Sequence, residues 1–133
     1  MKGIDESKYI IEEVFEVQKA SDDVERFVVN FHQDLIQQLN QKNLPWLARV
    51  NVRGITYLCN ENKAFIFFEV HMKFTSVKFF TGNSWIEGLK KANWENGGDN
   101  WGSETYRIVD VFSLKQAVRF SLKAYEIAEK WER

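Results

Sequence analysis

Hydrophobic residues in the first third of the chain recur with the period of an α-helix. Over residues 22–40 they are three or four positions apart, which places them on one side of a helix. Asp22 and Glu25 have the spacing of a capping box, in which each side chain bonds the free backbone N–H of the other. We therefore predict an amphipathic helix over residues 22–40. Its apolar residues are Val24, Phe27, Val28, Phe31, Leu35 and Leu39.

The segment before this helix, residues 1–20, has a shorter apolar pattern of Ile10, Ile11, Val14 and Val17. These positions fit one side of a helix, although the letters EEVFEV also alternate as a strand would. We predict a helix in this N-terminal lead-in segment.

The apolar pattern changes to a period of two after Pro45, which ends the helical region. Residues 49–59 are predicted to form a strand with a bulge at Gly54, and residues 64–74 and 76–80 two further strands. In the second strand Ala64, Ile66, Phe68, Val70, Met72 and Phe74 alternate with a mostly polar set. That set is Phe65, Phe67, Glu69, His71 and Lys73.

The C-terminal third predicts a helix, a strand and a long final helix. Ser84 with Glu87 and Ser113 with Gln116 have capping-box spacing, at the starts of a short helix ending near Ala92 and of the final helix. Residues 104–112 alternate as a strand between them. On the final helix a stripe of small residues would allow close approach to a sheet. The stripe is Ala117, Ser121, Ala124 and Ala128.

This order of elements predicts an α+β protein. We expect a two-layer sandwich in which an antiparallel sheet of about four or five strands has helices packed on one face. A chain of 133 residues is about the length of one domain. We predict a single domain over residues 1–133, with residues 21–133 as its core.

The charges nearly cancel, with 18 Lys and Arg against 19 Asp and Glu, so nucleic acid is not indicated by charge. Cys59 has no second cysteine with which to pair inside the chain. The N-terminal residues lack the apolar core of a signal peptide, and the longest apolar run, residues 64–68, is too short to cross a bilayer. We expect a cytoplasmic protein.

One candidate site lies on the polar side of the second predicted strand. Glu69, His71 and Lys73 share that side, and Arg53 and Arg107 would lie on neighbouring strands. Such a group would bind an anion or carry acid–base chemistry, because an imidazole can exchange protons near neutral pH. A solvated face with cross-strand ion pairs is the alternative. Phe65 and Phe67 on this side indicate that a ligand, a partner chain or the N-terminal segment covers part of it.

A second candidate is the loop NWENGGDNWG, residues 93–102. Counted from Asn93, Gly98 and Glu104 fall at the sixth and twelfth positions of a calcium-binding loop. Asn93 replaces the usual first aspartate, Gly97 offers no side-chain oxygen, and a strand follows instead of a helix. We therefore expect a connection anchored by aromatic side chains.

Other metal and cofactor chemistry has little support in the sequence. The two histidines and Cys59 lack the spacing of metal ligands, and no phosphate-binding glycine motif is present. Asp22, Asp23 and Glu25 are acids of the type that bind iron, but they also suit the N-terminus of a helix. We predict no metal and no cofactor.

Several residues of the C-terminal half match the pattern of a known family. Trp101 and Gly102, then Arg107 on a strand, then Ala124 and Tyr125 late in a helix resemble the prokaryotic family called domain of unknown function 5655. The segments VRGITY, with Arg53 where that family usually has Lys, and YIIEE extend the likeness over most of the chain.

The resemblance implies mainly a fold. Function in that family is unassigned; its members have been labelled predicted transport proteins, and the domain also occurs beside restriction-type defence modules. The resemblance groups Trp101, Arg107 and Tyr125, which would line one pocket or form a packing cluster with Arg107 stacked on Trp101. In layout alone the chain is also similar to frataxin-like iron chaperones, which is a weak basis for function.

We therefore predict a non-enzymatic binding or regulatory module that engages a small anionic ligand or a protein partner and can form a homodimer. The alternatives are a hydrolytic enzyme that uses His71 and Glu69, and an iron chaperone that uses acids of the first long helix. The ligand-binding residues predicted from the sequence are Trp101, Arg107, Tyr125, Arg53, His71 and Glu69.

Overall fold

A computed structural model describes residues 9–82, 86–87 and 106–131 of the chain. Apart from residues 86–87, the helix predicted over residues 84–92 lies outside the described residues, as do the loop of residues 93–102 and its Trp101. The described elements, in chain order, are α1 (Ile11–Gln18), α2 (Asp22–Gln41), β1 (Leu47–Asn51), β2 (Gly54–Asn60), β3 (Lys63–Val70), β4 (Thr75–Phe79), β5 (Tyr106–Ile108) and α3 (Val111–Lys130).

The five strands form one antiparallel sheet in the order β1-β2-β3-β4-β5, so each strand pairs with its neighbour in sequence. Helices α2 and α3 pack on the face that we call the inner face. There Phe31 of α2 lies 4.6 Å from the ring of Phe68, and Phe120 of α3 lies 5.7 Å from the ring of Phe79. The predicted α+β sandwich with an antiparallel sheet is confirmed.

The first predicted strand is wrong in one respect, because residues 49–59 form a hairpin and not one bulged strand. The side-chain oxygen of Asn51 accepts from the backbone N–H of Arg53 at 2.8 Å and of Gly54 at 3.1 Å, which closes the turn between β1 and β2. Gly54 has φ +156°, and a Cβ at this position would lie 1.9 Å from the carbonyl oxygen of Phe68. Glycine is therefore required by the close approach of β3.

A bulge does occur, but at Phe65. Tyr57 pairs with Ile66 and Leu58 with Ala64, so Phe65 is the extra residue on β3. At a bulge two successive side chains can point to the same side of the sheet. Phe65 and Ile66 are both fully buried, which corrects the placement of Phe65 on the polar side.

Strand β3 ends at Val70, four residues earlier than predicted. The backbone N–H of His71 bonds the carbonyl oxygen of Phe74 at 3.0 Å, which closes a second hairpin turn before β4. Glu69 is a strand residue, whereas His71 and Lys73 lie beyond the end of the strand. The three side chains therefore do not share one strand face, contrary to the prediction.

Both long helices are present, with caps earlier than predicted. In α2 the cap is Ser21, whose hydroxyl accepts from the N–H of Val24, so that Asp22 is the first helical residue. In α3 the cap is Asp110, whose carboxylate accepts from the N–H of Ser113 at 2.8 Å. The predicted stripe of small residues on α3 is buried, as expected: Ala117, Ser121, Ala124 and Ala128.

The N-terminal segment contains the predicted helix, α1, and it contributes to the core. Val14 and Phe15 are buried, whereas Ile10 and Val17 of the predicted apolar side are more than half exposed. The Gln18 side chain donates to the carbonyl oxygen of Val52 at 2.8 Å. Close by, the N–H of Ser21 donates to the carbonyl oxygen of Met72 at 2.9 Å. The junction between α1 and α2 is thus tied to two hairpin turns of the sheet, the one between β1 and β2 and the one between β3 and β4.

Candidate functional site

The second face of the sheet, which we call the outer face, carries polar and charged side chains. Strand pairing aligns Arg49, Thr56, Phe67 and Lys78 in one row across β1 to β4. Directly paired residues on neighbouring strands have side chains on the same face. Phe67 is 37% exposed, so an aromatic ring lies within a row that has a cation at each end.

A second row crosses all five strands. Asn51 pairs with Gly54, Gly54 with Glu69, Glu69 with Ser76, and Ser76 with Arg107. Arg53 lies in the turn between β1 and β2, next to this row. Together the two rows and this turn bring four cations and one carboxylate to the described outer face. The cations are Arg49, Arg53, Lys78 and Arg107, and the carboxylate is Glu69.

A depression of about 330 Å³ lies between the two rows. Its polar lining includes side chains from the first hairpin, β2, β3 and β4, and Phe67 contributes to its apolar part. The polar lining residues are Asn51, Arg53, Thr56, Glu69 and Lys78. The depression joins two residues predicted from the sequence, Arg53 and Glu69.

Arg107 is held at the other end of the second row by an aromatic contact. Its guanidinium carbon lies 4.0 Å from the ring centre of Phe74, a favourable cation–π distance. The imidazole of His71 stacks with the same ring at 4.4 Å and 21°. This contact brings Arg107 and His71 of the predicted set together at the turn between β3 and β4.

Tyr125, by contrast, belongs to the core. Its ring packs 5.0 Å from that of Phe65, and its hydroxyl donates to the carbonyl oxygen of Pro45. Burial raises the pKa of Tyr125. The structure therefore does not place Tyr125 in one pocket with Arg107, because Tyr125 lies on the buried side of α3 and Arg107 is on the outer face. Trp101, the third member of that predicted group, is outside the described residues.

Acid–base chemistry at His71 has one geometric element in its favour. The Nε2 atom of His71 is 3.4 Å from the hydroxyl oxygen of Ser76, an arrangement in which a histidine can act as base for a serine. Ser76 is only 1% exposed, so its hydroxyl does not meet a substrate from solvent. Glu69 pairs with Ser76 in the sheet but lines the depression away from His71.

In the part of the chain that the structure describes, no three His, Cys, Asp or Glu side chains are grouped to bind a metal ion. Asp22, Asp23 and Glu25 lie in the first turn of α2, where acids favour the helix dipole. Glu12 and Glu13 occupy the first turn of α1. The first turns of α1 and α2 thus carry five acids, which are close in number to the four cations of the outer face.

Sequence reasoning missed Arg49 and Lys78, and it treated Phe67 only as a sign that the face is covered. The sequence pattern that could have identified them is the alternation of buried and exposed side chains along each strand. It puts Arg49, Phe67 and Lys78 on the side opposite their buried neighbours. Their alignment in one row depends on the register between strands, and the hairpin turn at Gly54 and the bulge at Phe65 decide that register.

Comparison of the chain with protein-family models, curated proteins and solved structures found no match in any of the three. By its fold and its candidate site, the chain is a small α+β protein. Its five-stranded antiparallel sheet has an apolar inner face and a cationic outer face. Within the described ranges, none of the helices combines the length and the apolar character needed to span a membrane.

Proposed function

We propose that this protein is a non-enzymatic binding module that holds an anionic ligand on the outer face of its sheet. The observation that supports the proposal is the charge of that face. Among the described side chains, this face has four cations and one carboxylate, Glu69, in a protein of net charge −1. The cations are Arg49, Arg53, Lys78 and Arg107. A local excess of one sign attracts ligands of the opposite sign whatever the total charge.

Two further features support binding over catalysis. The cations project from hydrogen-bonded strands and a closed turn, so the backbone that carries them is ordered before a ligand arrives. Among the described residues, the serine in hydrogen-bonding distance of His71 is Ser76, which is buried, and this disfavours the hydrolytic alternative through His71 and Glu69. The iron-chaperone alternative would require acids at the N-terminus of α2 that already serve the helix.

The proposal is tested with a short inorganic polyphosphate, a chain of phosphates without further chemistry. Calorimetry should show binding that weakens as salt is added, because exposed charges are screened. Replacing Arg53 and Arg107 together by Glu should weaken binding by at least about tenfold, since each change turns attraction into repulsion. Lys115→Glu on α3 makes the charge change of one such replacement at an exposed site away from the outer face and should leave affinity within about twofold.

Failure of wild-type protein to bind polyphosphate, or equal loss of affinity in Lys115→Glu, would contradict the proposal.

Cytoplasmic location and homodimer formation are part of the proposal. Burial, and secondarily the nearby Glu129, raise the pKa of the Cys59 thiol to about 12, so this cysteine is poorly suited to form a disulfide. Native mass spectrometry of the purified protein should show a dimer; a monomer alone would remove that part of the proposal and leave the binding function.

A further inference from the structure

We infer that the anionic ligand of the outer face is a single-stranded nucleic acid, with its phosphates on the arginines and one base stacked on Phe67. This inference names the ligand of the proposed binding function and rests on it.

The spacing of the cations favours an extended ligand over a compact one. Arg49 is on β1 and Arg107 on β5, the two edge strands of the described sheet. Four strand spacings separate them, about 19 Å at roughly 4.8 Å each. Arg107 is in addition held over Phe74, which keeps it from turning toward the centre of the sheet. A single phosphate cannot contact both edges, whereas a chain of phosphates across the strands can.

Phe67 adds an exposed aromatic ring to this face, and a ligand made only of phosphates would not use that ring. It is 37% exposed and lies in register between Thr56 and Lys78, in the row that begins at Arg49. An aromatic side chain on a sheet, with cations around it, is the arrangement on which bases of single-stranded nucleic acids stack. A base in a duplex is already stacked on its neighbours and cannot use such a ring.

Glu69 is consistent with a base at the same place. It follows Phe67 by two residues on β3, and both line the depression. A carboxylate repels phosphate, but it accepts hydrogen bonds from the amino groups of bases. The single acid of the described outer face thus lies where a base, and not a phosphate, would be.

The near-zero net charge of the chain does not oppose this inference. Sequence composition sums all faces of the molecule, and the acids of the first turns of α1 and α2 offset the outer-face cations. What a nucleic acid meets is the local surface, where positive side chains predominate among those described.

The test compares three ligands by competition: a deoxycytidine oligonucleotide of about six residues, whose bases carry the amino group that Glu69 would accept from and whose length is within the site sizes of known oligonucleotide-binding folds, a polyphosphate of matched charge, and a duplex. The single strand should bind tightest. Phe67→Ala should weaken its binding on the order of tenfold, the size of one lost base stack. The same variant should weaken polyphosphate binding by a smaller factor than it weakens single-strand binding, and Phe67→Tyr should keep the affinity for the single strand.

Because Phe67 is partly exposed, Phe67→Ala is expected to fold, and circular dichroism checks this independently of binding. Equal affinities for single strand and polyphosphate, equal or tighter duplex binding, or an unchanged affinity in Phe67→Ala would overturn the nucleic-acid inference while the anion-binding proposal stands. Absence of binding to all three ligands would overturn both.

Discussion

The two faces of the sheet are built from alternate residues of the same strands, yet different forces determine them. Phe68 and Phe67 are neighbours in β3: Phe68 is 2% exposed and packs against Phe31, while Phe67 is 37% exposed among cations. The inner face is determined by burial of apolar surface. The outer face is determined by strand register, because register decides which charges become neighbours. One strand can therefore carry stability and ligand recognition at adjacent positions.

The largest expected effect is the contrast in stability between these two phenylalanines. Phe68→Ala removes a buried ring and leaves a cavity, which we expect to lower the free energy of unfolding by about 3–5 kcal/mol. Phe67→Ala should lower it by less than about 1 kcal/mol, because the ring is partly solvated already. Urea unfolding of both variants measures the difference. Similar losses would show that the two faces are not distinct in stability.

A comparable effect is expected at the turn that aligns the outer-face rows. In Gly54→Ala the new Cβ meets the carbonyl oxygen of Phe68, a backbone atom that cannot move away alone. We expect a loss of about 3 kcal/mol or more. Gly82→Ala is the control, since its Cβ would meet the side chains of Trp131 and Ile127, which can shift. Thermal unfolding should show the smaller decrease for Gly82→Ala, and the reverse order would contradict the account of the hairpin.

A smaller loss of stability is expected at the junction between β5 of the sheet and α3, the helix that packs on the inner face. The Ser113 hydroxyl accepts from the N–H of Val109 at 2.8 Å and of Asp110 at 3.0 Å. Ser113→Ala leaves these donors without that acceptor and should cost about 1–2 kcal/mol. Denaturant unfolding is the measurement, with Ser121→Ala as control because the Ser121 hydroxyl bonds a carbonyl that the helix already uses. A neutral Ser113→Ala would show that this cap does not fix the junction.

The smallest effect concerns a polar pair within the inner layer. His32 Nδ1 lies 2.8 Å from the Tyr57 hydroxyl oxygen, and burial lowers the pKa of His32 below its usual 6.5. The unfolded chain then binds the proton first as pH falls. Stability is therefore undiminished above pH 6.5 and decreases as pH falls through the lowered folded pKa.

His32→Gln should remove part of that decrease. Unfolding free energies of wild type and variant at about pH 7.5 and about pH 5 give the comparison. An identical acid-induced loss in the two proteins would contradict the role of His32.

The fold was predictable from the sequence where one period dominated a long segment. Residues 22–40 and the small-residue stripe of the final helix follow a single helical face, and both were placed correctly. The caps were missed by one to three positions because Ser21 and Asp110 compete with neighbouring residues that can also cap.

The site was only partly predictable. Glu69, Arg53 and Arg107 were identified as candidates, but the sequence put His71 on the strand, whereas the hydrogen bond from His71 to Phe74 ends it. Arg49 and Lys78 became visible only when the strands were paired. Tyr125 was grouped with Arg107 by resemblance, although packing against Phe65 puts it in the core.

An NMR titration of the labelled protein with polyphosphate, followed through the backbone amides, tests directly whether the outer face of the sheet binds anions. If the outer face binds polyphosphate, the amide chemical shifts of its strand residues change, while those of Ala117 and Ala124 on α3 stay the same. The strand residues are Arg49, Thr56, Phe67, Lys78 and Arg107. Shifts concentrated on the helices, or no shifts at all, would contradict the assignment of the outer face as the binding surface.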